Sequence, residues 1–355
     1  MREIIYPSFF LTFEADMILV TGGTGLVGAH LLWHLLQNGE KVRAIHRPGS
    51  SPEQAREVFG CYEGPDELFG RIEWLPADML DLYSLSEAMN GISHVYHCAA
   101  MVSFNPAERK SLINGNIEGT GNIVNLCLEH GVEKLCHVSS VSALGSGPGD
   151  RPVAEDDLWK PSKRRSSYSI SKFHSEMEVW RGIEEGLNAV IVNPSVIIGP
   201  GNWKRGTARF FTSIKKGLKY YSGGMTGFVD VRDVCRCMIA LMDSGISGER
   251  FIISSEELQY RDLLDMIADA LGRPRPSKEI SGPLAEAAWR LEWLRSKLTF
   301  SNPRLTRETA RSSRRVSRFS NRKVADALGY RFIPVKDTIE WTASCLRRQQ
   351  IPRSG

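Results

Sequence analysis

No apolar run in the 355 residues approaches the ~20 that a membrane helix needs, so no spanning segment is expected. Disulfide and metal frameworks are missing too. The seven cysteines are scattered and odd in number, and Cys235 and Cys237, one residue apart, have no second pair at zinc spacing. Reduced thiols in a cytoplasmic protein, with no metal, is the expectation. Charge of one sign is scarce: 45 basic residues face 41 acidic ones, for a net +4. What excess exists is local. From Arg304 to Lys323 there are seven arginines and one lysine against Glu308 alone, a stretch of +7 that leaves the rest at −3. Aromatic residues are not interleaved with these arginines, which argues against nucleic acid. Repeats and low-complexity segments are absent, and the aromatic and aliphatic content excludes disorder. Residues 1–16 carry two short apolar clusters interrupted by Pro7 and Glu14, with no small-residue cleavage site. They read as a tail, or as the product of an upstream start codon with Met17 the real beginning.

What is present is organised around Thr21-Gly22-Gly23-Thr24-Gly25-Leu26-Val27-Gly28, set directly behind the apolar run Met17-Ile18-Leu19-Val20. A run apolar on both faces reads as a buried parallel strand, and Leu26, Val27, His30, Leu31 and Leu35 recur at helical spacing. The chain turns from strand to helix through glycine. Gly22 allows the turn, Gly25 admits a pyrophosphate close to the backbone, and Gly28 lets the helix lie near the sheet. Unpaired amides at the helix start, over Thr24 to Val27, then face two phosphates.

A second strand, Lys41 to Arg47, follows a helix closed by Asn38-Gly39. Its tip meets the adenosine ribose in a dinucleotide fold, where a carboxylate would select the free 2′-hydroxyl. Here there is no acid. His46-Arg47 suits a phosphate, so NADP is favoured and NAD is the alternative. Residues 48–70 form an insertion, with a helix over 52–59, that reads as a mobile flap or an edge decoration. The third strand ends at Asp78-Met79, where Asp78 is placed to accept from the adenine amine. The fourth ends at Ala99-Ala100, whose small side chains leave room for a flat ring, and Met101, Val102 and Phe104 beyond it suit an apolar pocket. A helix over 112–129 carries Asn116 and Gly119-Thr120 inward, and Asn116 is either a packing device or a proton relay. Residues 194–221 are irregular and suggest substrate-binding loops, and a helix ending at Met242 and a strand over 250–253 follow. After these come helices over 260–271, 283–298 and, as the last, 322–328.

Strand five ends in Ser139-Ser140, and the next helix opens with Tyr168-Ser169-Ile170-Ser171-Lys172. Tyr168 and Lys172 share a face, being four apart. Strand tips face the ligand crevice of an open parallel sheet, so these groups converge beside the cofactor. A phenol is a poor acid or base at neutral pH, but a neighbouring ammonium stabilises its phenolate. Lys172 has further donors for the ribose, and a serine hydroxyl can hold the substrate oxygen.

The combination resembles the extended short-chain dehydrogenase/reductases, within the NAD-dependent epimerase/dehydratase family, and more narrowly the dihydroflavonol reductase and 3β-hydroxysteroid dehydrogenase branch. Its matching residues are the glycine loop, Asp78-Met79, His97-Cys98-Ala99-Ala100, Asn116 with Gly119-Thr120, Ser139-Ser140, Tyr168 to Lys172, Asn193-Pro194 and Gly199-Pro200-Gly201. The resemblance implies an α/β fold, a Rossmann-type doubly wound parallel sheet with a smaller C-terminal α/β substrate domain. The cofactor domain would run over 17–193 with 228–254 returning to it, and the cap over 194–227 and 255–351. It implies Tyr168, Lys172 and Ser140 as the catalytic set, Ser140 being selected by the family pattern counted back from Gly145, and Asn116 beside them. Pro194 joins the cofactor contacts. Leu144 stands where sugar-handling members often carry tyrosine, and no Asp-Glu pair follows the serine. Both departures point to a fairly apolar alcohol or ketone.

An NADP(H)-linked oxidoreductase acting on a small molecule is therefore expected, with homodimerisation open. Its rivals are a nucleotide-sugar epimerase or dehydratase that retains NAD tightly and a non-catalytic cofactor sensor. Arg304, Arg307, Arg311 and Arg314 fall on one helical face beside the amphipathic stretch 284–300. Peripheral membrane contact is the sharper reading of that pattern, and a cap helix packed on the core beside a solvated basic face is the preferred one.

Overall fold

The computed structural model describes residues 17–62, 64–103, 105–147, 151–162, 165–299 and 306–349. The expectations placed on residues 1–16, Phe104, Phe300 and Arg304 lie outside this set. In chain order the elements begin with β1 (Met17–Thr21), α1 (Leu26–Gln37), β2 (Lys41–His46), α2 (Glu53–Phe59), α3 (Pro65–Phe69), β3 (Glu73–Pro76), α4 (Leu82–Met89) and β4 (Ile92–His97). Then come α5 (Arg109–Glu129), β5 (Lys134–Val138), α6 (Ser167–Glu184), β6 (Ala189–Pro194), β7 (Val196–Ile198), α7 (Ala208–Lys215), β8 (Tyr220–Tyr221), β9 (Met225–Asp230) and α8 (Val231–Asp243). The chain continues through β10 (Glu249–Ile253), β11 (Glu256–Gln259), α9 (Tyr260–Ala270), β12 (Lys278–Glu279), α10 (Gly282–Thr299), α11 (Arg307–Ser312), α12 (Arg322–Leu328) and α13 (Val335–Gln349).

Seven parallel strands form the main sheet in the order β10-β6-β5-β4-β1-β2-β3. This is the doubly wound arrangement: the order reverses between β1 and β4, and the crevice opens at that switch point. Each face is covered by helices, which is why the central strands are apolar on both sides. Leu31, Leu35, Val234, Met238 and Leu241 from α1 and α8 fill one face, and Leu85, Ile123, Val124 and Val179 from α4, α5 and α6 fill the other. Removing such side chains from water stabilises the fold by roughly 1.5–3 kcal/mol each.

A second sheet, β11-β9-β7, packs its own core of Phe211, Phe228, Leu263, Ile267, Val335 and Ile339. Residues 225–230 belong to this sheet, whereas α8 and β10 return to the main layer. The stretch 194–221, read as loops, contains β7, α7 and β8. On α7 the buried residues Ala208, Phe211 and Ile214 recur three apart, a helical signal too brief to stand out among the turns that flank it. The insertion 48–70 is neither flap nor decoration: Val58, Phe59 and Phe69 are buried in the core that includes α1. Helix α12 is not the last, since α13 follows and buries Ile339, Ala343 and Leu346.

The basic stretch also departs from its expected form. Arg307 and Arg311 lie on α11, a helix of six residues, and Arg314 falls beyond its end. Helix α10 lies against α11; among its described side chains Ala285 is buried, whereas Leu284, Leu291, Trp293 and Leu294 are exposed, and Arg290 and Arg307 sit over the Trp289 ring at 4.9 and 6.0 Å. No helix among the described residues is long and apolar enough to cross a membrane.

Candidate active site

The glycine loop joins β1 to α1 with the geometry that its spacing requires. Gly22 has φ +68°, and a Cβ there would sit 2.8 Å from the Ala99 backbone at the β4 tip. At Gly28 a Cβ would reach within 2.3 Å of the Gly22 carbonyl oxygen. Gly25 is different. It is exposed and extended (φ −81°, ψ 172°), and a Cβ would meet only the Gly22 oxygen at 3.1 Å. No described side chain caps α1, so its first amides are left without a side-chain acceptor. Space at Gly25 beside an uncapped helix start fits a dinucleotide pyrophosphate.

Around this loop the strand tips are braced to one another. Thr21 Oγ1 lies 2.8 Å from His97 Nδ1 and accepts from the Ala99 amide at 3.1 Å, and His97 Nε2 lies 3.1 Å from Thr120 Oγ1. Burial holds His97 down to about 3, with Lys172 adding to the effect, and lowers His137 beside it. Both imidazoles are neutral. Asn116 is buried; its Oδ1 accepts from the Met101 amide at 2.7 Å, while Nδ2 donates to the Met101 carbonyl and to Ser171 Oγ at 2.9 and 2.8 Å. It therefore braces the loop after β4 against α6. Met79 lies against Gly119, and its carbonyl accepts from Asn122 at 2.8 Å. Asp78 Oδ1 accepts from the Leu80 amide at 3.0 Å, and Arg47 is exposed just past β2. Pro194 is buried at the end of β6, where it pairs with Ile253.

Tyr168 and Lys172 lie one turn apart on α6, whose N-terminus is capped by Ser166 Oγ accepting from the Ser169 amide at 3.0 Å. Lys172 is buried, and its Nζ donates to the Val138 carbonyl at 2.8 Å. Burial draws it down to about 8, opposed by Cys98 and Glu176. Ser140 follows β5 and its Oγ also accepts from the Ser142 amide at 3.1 Å. Burial pushes Tyr168 up, and the hydrogen bond with Ser140 draws it back.

Sequence reading missed a buried carboxylate one turn beyond Lys172. Glu176 accepts from Ser139 Oγ (2.6 Å), Asn193 Nδ2 (2.8 Å), Arg250 (2.8 Å) and Trp180 Nε1 (3.2 Å). The spacing of four from Lys172 to Glu176 was the signal available, and its partners are remote in sequence. Among the described residues no cluster of side chains could hold a metal ion.

A parallel sheet wound in this order, a glycine turn at its switch point and a Tyr-x-x-x-Lys helix beside a serine define an extended short-chain dehydrogenase/reductase. The comparison with known families agrees: the model of the NAD dependent epimerase/dehydratase family matches residues 18–254, and the chain belongs to that family. It is 32% identical over 262 residues to sterol demethylase protein B of Methylococcus capsulatus, covering 73% of this chain and 75% of that one. A putative dihydroflavonol 4-reductase of Synechocystis sp. is 30% identical, with 75% and 76% covered. The crystal structure of gox2253 superimposes with a TM-score of 0.78 at 28% identity, over 94% of this chain and 99% of that one. The family binds a nicotinamide cofactor and acts on small molecules.

Proposed function

We propose that the protein is an NADP(H)-dependent oxidoreductase that interconverts a secondary alcohol and a ketone on a small, fairly apolar substrate. One observation carries this reading: the phenol of Tyr168 is hydrogen-bonded to Ser140 while Lys172 lies one helical turn away. The nicotinamide, when bound, supplies or takes the hydride. This chain's residues do the rest. As a carbonyl oxygen gains charge, Tyr168 gives it a proton and the Ser140 hydroxyl holds it in place; oxidation runs the same proton back. Lys172 spends one donor on Val138 and keeps two for the nicotinamide ribose.

Gly22, Thr24, Gly25, Leu26 and Val27 would hold the phosphates, and Gly28 the close packing behind them. Asp78 and Met79 would border the adenine, while Ala99, Ala100 and Pro194 would flank the nicotinamide end. Exposed Arg47 supports the choice of NADP, since a guanidinium is the natural partner of a 2′-phosphate. Met101, half-buried, and Val102, exposed, support an apolar substrate, as does Leu144 after the serine. The cap of this reading is 194–227 with 255–351, and the working compartment is the cytoplasm.

A panel of ketones screened for NADPH oxidation, run beside a titration of NADP and NAD, tests the proposal. Tyr168→Phe should lower turnover by about 10²–10⁴-fold and leave cofactor affinity in place. Full activity in that variant ends the reading of Tyr168 as the acid/base. Protein that carries non-exchanging NAD through purification would instead make it an epimerase.

A further inference from the structure

Glu176 is a buried carboxylate that the proposed reaction does not use, and every group that touches it is a donor. Ser139 comes from the tip of β5, Asn193 from the end of β6, Arg250 from β10 and Trp180 from α6 itself. Asn193 Nδ2 reaches the Ser140 carbonyl at 3.1 Å as well, so the serine that meets Tyr168 is tied into the same knot. Arg250 is anchored in turn, with Nε donating to the Glu155 carbonyl at 2.8 Å. An amide in place of the carboxylate could not satisfy this set. Glutamine would present an NH₂ to donors that already point inward, leaving buried polar groups unpaired.

The electrostatic setting of Lys172 is equally specific. The groups facing it are His97 on β4, Cys98 just after it, His137 on β5, and Glu176 on its own helix. Both histidines are neutral, and burial pushes the Cys98 thiol up to about 12, so it is neutral near pH 7. Glu176 brings a carboxylate to the set, ion-paired with the Arg250 guanidinium at 2.8 Å.

We propose that Glu176 is a positioning residue: gripped by donors from three strands, it fixes the register of α6 against the strand tips and supplies the negative charge that keeps Lys172 an ammonium. This inference rests on the reading of Tyr168 as the acid/base and of Lys172 as the ammonium that holds the ribose beside it. Without the Glu176 carboxylate the buried amine loses an opposite charge one helical turn away, and its proton is lost at lower pH.

The test reads the amine directly. In protein labelled with ¹³Cε-lysine, the Lys172 signal is the one that vanishes in Lys172→Arg, and its titration in the wild type should centre near pH 8. In E176Q the titration should fall by about one pH unit, as expected for loss of a nearby opposite charge. E176D keeps the charge and withdraws it by one methylene, so it should hold the titration within a few tenths of the wild type while lowering the melting temperature. Should E176Q not fold, E176Q/R250Q removes both charges together, which buried pairs tolerate better, and a fall in the same direction but smaller than in E176Q is required, since the Arg250 cation goes with the carboxylate. A Lys172 signal unmoved in the folded glutamine variant, or moved equally by E176D, overturns the proposal. The upper limb of the kcat–pH profile, on any ketone the screen yields, should move with the amine. A screen that finds no reducible ketone sinks the proposed reaction and leaves the titration standing. A working reductase with an unmoved Lys172 sinks only this inference.

Discussion

Replacing Gly22, Gly25 and Gly28 singly by alanine separates what the fold requires of the loop from what the cofactor requires. At Gly22 the φ of +68° penalises a Cβ by about 1–2 kcal/mol, and contact at 2.8 Å with the Ala99 backbone, which cannot swing aside, raises the loss to about 3 kcal/mol. Gly28 has ordinary dihedrals, but a Cβ 2.3 Å from the Gly22 oxygen must push α1 off the sheet, for about 3 kcal/mol or more. Alanine at Gly25 meets one atom at 3.1 Å in extended backbone, and should change stability by less than about 1 kcal/mol. With an unfolding entropy of about 2.1 cal/mol/K per residue, 355 residues give about 0.75 kcal/mol/K, so G22A and G28A should melt about 4 °C early and G25A about 1 °C. The cofactor reverses the ranking. A ligand at about 100 times its Kd stabilises by about 2.7 kcal/mol, a shift of about 3.5 °C in the wild type. If the Gly25 Cβ occupies the phosphate approach and weakens binding about 100-fold, G25A should show a shift of only about 0.5 °C at the same concentration. Melting curves with and without NADP read both effects. A G25A protein that melts as early as G28A, or that keeps the wild-type cofactor shift, refutes the division of roles.

Lys134→Met removes an ammonium that donates to the carbonyls of Leu241, Met242 and Ser244 at 2.7, 3.1 and 2.6 Å, at the C-terminal end of α8. With three acceptors left buried, a loss of about 3 kcal/mol and a melting point lowered by about 4 °C are expected; a change under about 0.5 kcal/mol contradicts the capping role. Burial lowers His30 to about 4 and His34 and His97 to about 3, so each stays neutral in the fold while the unfolded chain takes up a proton below 6.5. The unfolded state then binds more protons, and stability should fall with pH between 6.5 and about 4, by up to about 1.4 kcal/mol per pH unit for each histidine. Urea midpoints that do not move across this window would show that these rings are already charged in the fold. Arg47→Glu should shift cofactor preference from NADP toward NAD by about tenfold or more, read as a ratio of Kd values, and an unchanged ratio removes Arg47 from the ribose site.

The family, the parallel doubly wound sheet and the glycine turn between β1 and α1 were legible in the chain because each depends on short-range pattern. Glycines at 22, 25 and 28 between an apolar strand and a periodic helix fix a turn wherever they occur, and a tyrosine four residues before a lysine shares its helical face in any context. Capping glycines at 39, 131, 272 and 329 marked helix ends for the same reason, and all four adopt positive φ. Tertiary structure decided what has no local signature. Helix α13 follows a helix that already looks terminal, and the 48–70 insertion reads as surface until Phe59 is seen against α1. Only the packed sheet brings Lys172 Nζ to the Val138 carbonyl and buries the phenol beside Ser140. Glu176 was the least visible of all, since its worth lies in Ser139, Asn193 and Arg250, which come from three strands and meet it only when those strands align. A sequence records the periodicity of one chain segment, whereas burial and charge pairing are properties of space between segments, and those exist only once the chain has closed on itself.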